Sequence, residues 1–279
     1  MGRGRHKLSM QITSRDNSLL RKARAVRDGK DNDFIFVEGL RLSEEAVRSK
    51  LEIYAVLVSE ELAGKDRVKT KIDEITSRSK RTGFVSEKLL ESISFTKTPQ
   101  GIVLLAERPK AGIAYLNRRL GTNPLLLVLH QMNNPVNVGA IVRTAEAGGV
   151  TGIITTTKTT DPFSPKALRG AMGSAFRLPL WTEASLEEAL ELCRRSNIAT
   201  VATAVHSGKP YTELDWTTPH ALILGPESTG LSSEEMAATD EIVTIPMNQL
   251  VESLNVSVAT GIVIYEAARQ RMLKSSRLQ

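Results

Sequence analysis

Three polar loop segments hold the side chains of this 279-residue chain that could do chemistry. The first contains Asn137 and Arg143, the second Glu227, and the third Ser253 and Asn255. Amide, hydroxyl and carboxylate groups orient a ligand through hydrogen bonds, and a guanidinium binds phosphate at two points. Taken alone, each side chain also fits an ordinary role as a helix cap or a surface residue.

The first two loops each follow an apolar run and lead into a helix. In the first, we expect Asn137 to cap the helix and Arg143 to lie in its second turn. The second covers residues 225–232 and has glycine near both ends, which suits a backbone that approaches a ligand closely. Ser232 and Glu235 have the spacing of a capping box, so a tight loop before a helix explains this pattern equally well.

The third loop leads into an unusually apolar helix, predicted at residues 256–268. Apolar side chains occur on more than one face of this helix, so we expect it to be buried around much of its circumference. Burial in a core and burial at a subunit interface both satisfy that pattern. Ser253 and Asn255 are caps of this helix in the simplest interpretation.

The elements that position these loops indicate a parallel sheet. Uninterrupted apolar runs at 125–129, 152–154, 198–204 and 221–224 alternate with amphipathic helices such as 186–194. Such runs are typical of strands covered by helices on both faces of a sheet. Ligands bind beyond the carboxyl ends of parallel strands, and that is where the first two loops begin.

The amino-terminal part has the pattern of a smaller α/β unit. Short β-like runs at 34–37, 53–58 and 102–106 alternate with helical stretches at 40–49 and 87–92. Residues 60–81 are rich in charge and have the composition of a surface region. We therefore predict a basic segment at 1–32, a first domain at 33–107, a linker with one short helix at 108–122, and a second domain at 123–279.

The charge distribution indicates a polyanionic partner. The formal net charge is +6 and the sequence pI is about 9.5. Residues 1–30 contain nine basic residues and two aspartates. The basic residues are Arg3, Arg5, Lys7, Arg15, Arg21, Lys22, Arg24, Arg27 and Lys30. A solvated basic tail explains this run in isolation, and RNA becomes the expected partner only beside a domain that handles nucleic acid.

Composition excludes several other classes of protein. Cys193 is the single cysteine, which rules out an intrachain disulfide and a thiolate metal cluster and fits a reducing cytoplasm. We predict no metal and no membrane span, because no apolar run is long enough to cross a bilayer. No glycine-rich dinucleotide fingerprint follows the first strand of either domain. We expect His130 and His206 to be bystanders.

Together, the order, spacing and content of the three loops resemble the signature motifs of the SpoU/TrmH family of RNA ribose methyltransferases, in the SPOUT superfamily. The similarity covers the whole second domain, including residues 173–179, while residues 33–107 look like the family's substrate-binding domain of L30e-like fold. Residues 13–17 are similar to the family's short amino-terminal segment. Asn134 and Pro226 depart from common family residues, which bears on the subgroup and its RNA.

The resemblance implies an α/β fold class with an amino-terminal L30e-like domain and a carboxyl-terminal SPOUT domain that contains a trefoil knot. It implies a homodimer and a bent S-adenosyl-L-methionine cofactor, met largely by the backbone of Gly225, Ile245 and Leu254. The implied reaction is methyl transfer to a ribose 2'-hydroxyl of structured RNA, with ribosomal RNA favoured over transfer RNA by the L30e-like domain.

The resemblance also assigns roles within the site. Arg143 is expected to bind phosphate and stabilise the developing alkoxide, because a guanidinium is a reluctant base. Asn137, Glu227, Ser253 and Asn255 are expected to orient Arg143 and the ribose. The alternatives are a transfer RNA 2'-O-methyltransferase, a non-catalytic RNA-binding or ribosome-assembly protein on the same fold, and a dinucleotide-dependent α/β enzyme.

Overall fold

The computed structural model describes residues 8–248 and 251–276. The strands are β1 Leu8–Ile12, β2 Phe34–Glu38, β3 Ile53–Ser59, β4 Arg81–Val85, β5 Ile102–Glu107, β6 Leu125–Leu129, β7 Gly152–Thr156, β8 Leu180–Ala184, β9 Ala199–Thr203, β10 Lys209–Pro210, β11 His220–Leu224 and β12 Glu241–Thr244. The helices are α1 Ser18–Arg27, α2 Leu40–Arg48, α3 Glu60–Ala63, α4 Asp66–Arg78, α5 Glu87–Glu91, α6 Ile113–Asn117, α7 Pro135–Ala147, α8 Pro165–Ala171, α9 Leu186–Arg195, α10 Ser233–Ala237 and α11 Val256–Ser276. Two short 3-10 helices cover Ser174–Phe176 and Tyr211–Glu213.

The chain forms two compact units, and each unit is assembled from two separate segments of the sequence. The first takes the described residues up to Pro109 together with Phe163–Phe176, and the second takes the rest. Within the first unit, α8 from the later segment packs on β2, and the guanidinium carbon of Arg108 lies 4.6 Å from the ring centre of Phe163. The domain boundaries drawn from the sequence stay predictions.

The first unit contains a five-stranded mixed sheet in the order β1-β4-β3-β5-β2. β1, β4 and β3 are parallel, and β5 is antiparallel to both β3 and β2. The sequence pattern missed β4, because its central residue Gly83 lacks a side chain. A Cβ at Gly83 would lie 2.6 Å from Ile12 and 2.8 Å from Leu57, so close packing of the sheet explains the glycine.

Residues 60–81, predicted to be a surface region, contain two helices. Most of this stretch is helix α4, which buries Ile72 and Ile75 and exposes its charged side chains. The three-residue spacing of these two isoleucines places them on one helix face. The charged side chains of α4 thus lie at the surface, as the composition predicted, and the two isoleucines anchor the helix.

The second unit contains a seven-stranded sheet in the order β10-β12-β9-β11-β6-β7-β8, in which all the pairings are parallel. β6, β7 and β11 are buried along their whole length. The predicted α/β architecture with a parallel sheet is confirmed. Because the strands are parallel, the loops that follow β6, β11 and β12 emerge at one edge of the sheet.

Helix α7 begins earlier than the sequence indicated. Its cap is Asn134, whose side-chain oxygen accepts a hydrogen bond from the Val136 N–H, and Pro135 occupies the first helical position. Asn137 therefore lies inside the helix, and Arg143 lies in its third turn instead of its second. Proline starts a helix well because its fixed φ is already helical and its missing N–H needs no partner there.

Helix α11 continues past the predicted end at residue 268 to Ser276. One face is buried, with Val263, Ile264 and Ala267 inside, and α11 packs against α7. Another face is open: Val258, Tyr265 and Met272 are 51%, 55% and 70% exposed. Within the described residues, no helix is both long enough and apolar enough to span a membrane.

Candidate active site

The three polar loops surround a cleft of about 450 Å³ at the carboxyl ends of β9, β11 and β12. Four of the five predicted catalytic residues line this cleft: Asn137, Glu227, Ser253 and Asn255. All three predicted cofactor-binding residues line it as well: Gly225, Ile245 and Leu254. The volume falls in the range of about 300 to 1,000 Å³ that small-molecule sites occupy.

Asn255 joins the third loop to the first. Its side-chain nitrogen donates to Oδ1 of Asn137 over 3.3 Å, across 118 positions of sequence. Its side-chain oxygen accepts from the backbone N–H of Ser257 at 2.9 Å and from the Ser257 hydroxyl at 2.6 Å. Asn255 is thus the cap of α11 and a partner of Asn137 at once. Asn137 is only 7% exposed, so its side chain is held at the base of the cleft.

The second loop forms a closed turn at residues 225–230. The Gly230 N–H donates to the Pro226 carbonyl over 2.8 Å, and Gly230 has a φ of +66°. A Cβ at Gly225 would lie 2.5 Å from the Leu231 nitrogen, so no larger residue fits without moving the backbone. The closed turn therefore offers a backbone wall to the cleft. Glu227 projects from it as an exposed side chain.

Arg143 does not lie with the other four candidates. It follows Asn137 by six residues on α7, which displaces it about 9 Å along the helix axis and a third of a turn around it. Its side chain is exposed and is not part of the cleft lining. Within residues 8–248 and 251–276, it makes no hydrogen bond or ion pair. A single chain thus brings four of the predicted catalytic residues together and leaves Arg143 apart.

Part of the cleft lining was missed by sequence reasoning. Thr203, Ala204 and Val205 contribute from the end of β9, and Val243 contributes from β12. β9 lies between β11 and β12 in the sheet, so its carboxyl end necessarily faces the cleft. The apolar run at 198–204 was visible in the sequence, but its place in the strand order was not. Among the described residues, no group of three or more His, Cys, Asp or Glu side chains is arranged to hold a metal ion.

Comparisons with known proteins agree with this geometry. The model of the SpoU rRNA Methylase family matches residues 124–265, and that of the RNA 2'-O ribose methyltransferase substrate-binding domain matches residues 36–111. An uncharacterized tRNA/rRNA methyltransferase of Synechocystis is 32% identical over 95% of this chain and 96% of its own length. The 23S rRNA (guanosine(2553)-2'-O)-methyltransferase RlmP of Bacillus subtilis is 30% identical over 85% of this chain and 88% of its own length.

A solved structure is similar over nearly the whole chain. The AdoMet-bound rRNA methyltransferase from Sinorhizobium meliloti has a TM-score of 0.80 and 28% identity, and the similarity covers 94% of this chain and 98% of that one. One family model matches the amino-terminal part of the chain, and the other matches the carboxyl-terminal part. The family model matches half of the chain, and the Synechocystis relative is 32% identical over 95% of it, so the chain belongs to the SpoU rRNA Methylase family.

Proposed function

We propose that this protein transfers the methyl group of S-adenosyl-L-methionine to a ribose 2'-hydroxyl of ribosomal RNA. The observation that carries the proposal is the hydrogen bond between Asn137 and Asn255, inside a cleft that Glu227 and Ser253 also line. Family membership supports the reaction. The name of the RlmP relative supports ribosomal RNA as the substrate.

The lining of the cleft fits the cofactor. The closed turn at 225–230 provides backbone groups to the cleft, and Ile245 and Leu254 add apolar surface. A mixed lining of backbone and apolar side chains suits a ligand that has both an aromatic base and charged groups. When bound, S-adenosyl-L-methionine supplies a methyl group that its sulfonium has already activated.

The remaining task of the protein is to prepare the ribose hydroxyl. A hydroxyl is a poor nucleophile, so it must be held in line, and its proton must pass to the surrounding water as it reacts. Asn137, Ser253 and Asn255 orient the ribose through hydrogen bonds, and Glu227 orients the arginine. Arg143 stabilises the negative charge that develops on the oxygen and grips the neighbouring phosphate.

Arg143 acts in this scheme from the partner subunit of a homodimer. Its exposed position away from the cleft of its own chain supports this arrangement. The neighbouring residue Thr144 faces Gly261 of α11, whose open face shows Val258, Tyr265 and Met272 at seven-residue spacing. Such a stripe suits a two-fold helix interface, and a two-fold axis beside α7 and α11 carries Arg143 towards the other cleft.

The second unit also contains the trefoil knot in this proposal. Two features support it. First, β12, which comes from the carboxyl-terminal part of the chain, lies beside β9 in the sheet. Second, α11 packs against α7, the first helix after β6. Threaded chains are rare in proteins, so these two features alone would not predict a knot. Membership of the family supports it in addition. The first unit provides RNA affinity, which the match to a substrate-binding family model supports. The protein works in the cytoplasm.

Mapping 2'-O-methylation across all cellular RNA, with and without the gene, tests the proposed function. We expect one ribosomal RNA site to lose its methyl group and to regain it on addition of purified protein and cofactor. Loss of a transfer RNA site instead would mean that the RNA class is wrong. Unchanged methylation, with cofactor binding intact, would support a non-catalytic RNA-binding protein.

A further inference from the structure

His130 is a buried histidine that the proposed reaction does not use. It directly follows β6, and its side chain is 7% exposed. Nδ1 lies 3.0 Å from the hydroxyl of Thr156 at the end of β7, and Nε2 lies 3.0 Å from Oε1 of Glu235 on α10. The imidazole therefore connects the ends of two adjacent strands, β6 and β7, to a helix 105 positions further along the chain.

The hydrogen-bond partners determine which nitrogen carries the proton. The pKa of Glu235 is lowered, chiefly by the backbone N–H of Ser232 and also by His130, so its carboxylate is ionised and only accepts. Nε2 of His130 must then donate to Glu235. In the neutral imidazole, Nδ1 accepts from the Thr156 hydroxyl over 3.0 Å, a shorter contact than the 3.4 Å from that hydroxyl to the Thr157 carbonyl, and the hydroxyl oxygen accepts from the Gln131 N–H over 3.1 Å. Both ring nitrogens are satisfied.

Glu235 transmits this restraint to the closed turn. Its second oxygen, Oε2, accepts from the Ser232 N–H over 2.7 Å, while the Ser232 hydroxyl accepts from the Glu235 N–H over 3.2 Å. Ser232 directly follows Leu231, the residue against which Gly225 packs. His130 is thus linked to the closed turn through the Glu235 carboxylate and then through the backbone of Ser232 and Leu231.

A second capping box in the same unit lacks this connection. On α9, Glu188 accepts from the Ser185 N–H over 2.7 Å, and the Ser185 hydroxyl accepts from the Glu188 N–H over 3.0 Å. Helix capping therefore requires no histidine. Among the described residues, only the capping box that follows the closed turn also reaches a buried imidazole, so capping alone does not explain His130.

We propose that His130 is a positioning residue that holds the closed turn at 225–230 in place for the cofactor, acting through Glu235. This inference rests on the proposed function, in which that turn forms the wall of the cofactor cleft. It assigns a role to a residue that sequence reasoning treated as a bystander. The cost of burying the imidazole is offset because both of its ring nitrogens are hydrogen-bonded.

Calorimetric titration of S-adenosyl-L-methionine into His130 variants tests the proposal. His130→Leu removes both hydrogen bonds, and we expect the Kd to rise on the order of tenfold, the effect of losing a hydrogen bond to a charged group. His130→Gln keeps a donor for Glu235 and an acceptor for Thr156, so most of the affinity should return. Single-turnover methylation at saturating cofactor should change less than about threefold, because the hydroxyl-orienting residues are untouched.

Two carboxamide variants provide the matched control. Glu235→Gln and Glu188→Gln each leave one acceptor oxygen for the cap N–H, because glutamine also serves in a capping box, so their effects on thermal stability should be small and similar. Only Glu235→Gln should weaken cofactor binding. The double variant His130→Leu with Glu235→Gln should bind no more weakly than the worse single variant, because both changes break one connection.

Each outcome decides the matter. An unchanged Kd in His130→Leu, or an equal loss of affinity in Glu188→Gln, would overturn the proposal and leave His130 a purely structural residue. If His130→Leu fails to fold, Glu235→Gln alone gives the answer, since its side chain is partly exposed. Failure of the wild-type protein to bind the cofactor would instead contradict the proposed function.

Discussion

Asn255 shows how a single side chain can satisfy both a structural and a functional interpretation. Its oxygen caps α11 through Ser257, and its nitrogen reaches Asn137 in the cleft. The alternatives that the sequence left open for this residue are therefore not exclusive. The two roles use different atoms, so a substitution can separate them.

Replacing Asn255 by serine should keep the cap and remove the contact with Asn137. Serine is a good helix cap but is too short to reach across the cleft, so thermal stability should stay close to that of the wild type. Asn255→Ala should lose the cap as well, at about 1 kcal/mol of unfolding free energy. Both variants should slow single-turnover methylation by at least about tenfold. A normal rate in Asn255→Ser would remove the Asn137 contact from the mechanism.

Because of His220, the free energy of unfolding should depend on pH in a range above the one in which carboxylates titrate. Burial lowers the pKa of this histidine from 6.5, and Arg271 adds to the effect, while the Thr218 carbonyl, Asp215 and Glu241 oppose it. The unfolded chain then binds a proton that the folded chain refuses, so stability is complete above about 6.5 and falls as pH drops towards the folded pKa.

Urea unfolding across this pH range checks the expectation. The free energy of unfolding of the wild-type protein should decline below pH 6.5, whereas that of His220→Gln should decline less over the same window. His206→Gln, at an exposed position, is the control and should follow the wild-type curve. Parallel curves for wild type and His220→Gln would show that this histidine is not the group responsible.

At the scale of elements, the carboxyl-terminal half of α11 is fastened by one arginine. The Arg271 guanidinium donates to four backbone carbonyls, at 2.8 to 3.2 Å. The acceptors are the carbonyls of Trp216, Asn123, Pro124 and Thr218. The helix is thereby held to the segment before β6 and to the segment before β11, the two strands at the centre of the sheet.

Arg271→Ala should therefore destabilise the protein by about 2 to 4 kcal/mol, since it removes four hydrogen bonds to backbone carbonyls, of which those of Pro124 and Thr218 keep another donor in His220. Arg271→Lys should recover only part of this, because an ammonium cannot match the planar set of donors. The control is Arg269→Ala on the same helix, whose exposed guanidinium pairs with Glu266 and should contribute much less to stability than that of Arg271. Equal shifts of the urea midpoint for Arg271→Ala and Arg269→Ala would contradict this account of α11.

At the scale of the whole molecule, we propose that each active site combines residues of two chains, because Arg143 lies outside the cleft of its own chain. The cleft residues come from one chain, and Arg143 of that chain lies outside the cleft. In a two-fold dimer, every site then combines the cleft of one subunit with the arginine of the other. This arrangement can be distinguished from a self-sufficient subunit by mixing two inactive variants.

Heterodimers of Arg143→Ala and Asn255→Ala subunits, isolated with two different affinity tags, should regain about half of the wild-type turnover, because one of the two sites is intact. Each variant alone should be nearly inactive, while Arg143→Ala should still bind the cofactor with close to normal affinity. An inactive heterodimer would mean that Arg143 serves its own chain. A wild-type protein that sediments as a monomer would contradict the dimer itself.

The sequence alone determined the features that depend on neighbouring residues. Continuous apolar runs predicted β6 and β11, and the spacing of Ser232 and Glu235 predicted the capping box. The parallel sheet followed from the alternation of such runs with helices, and the loops after β6 and β11 then had to emerge at one edge. These inferences succeeded because hydrophobic periodicity and helix capping act over a few residues.

Only the tertiary structure decided the features that depend on strand order and packing across long separations. Gly83 lies in a strand because β4 pairs with β1 and β3, and residues 163–176 join the first unit because α8 packs on β2. The contact between His130 and Glu235 likewise spans 105 positions. Such contacts form where the folded chain brings distant segments together, and no local pattern records which segments those will be.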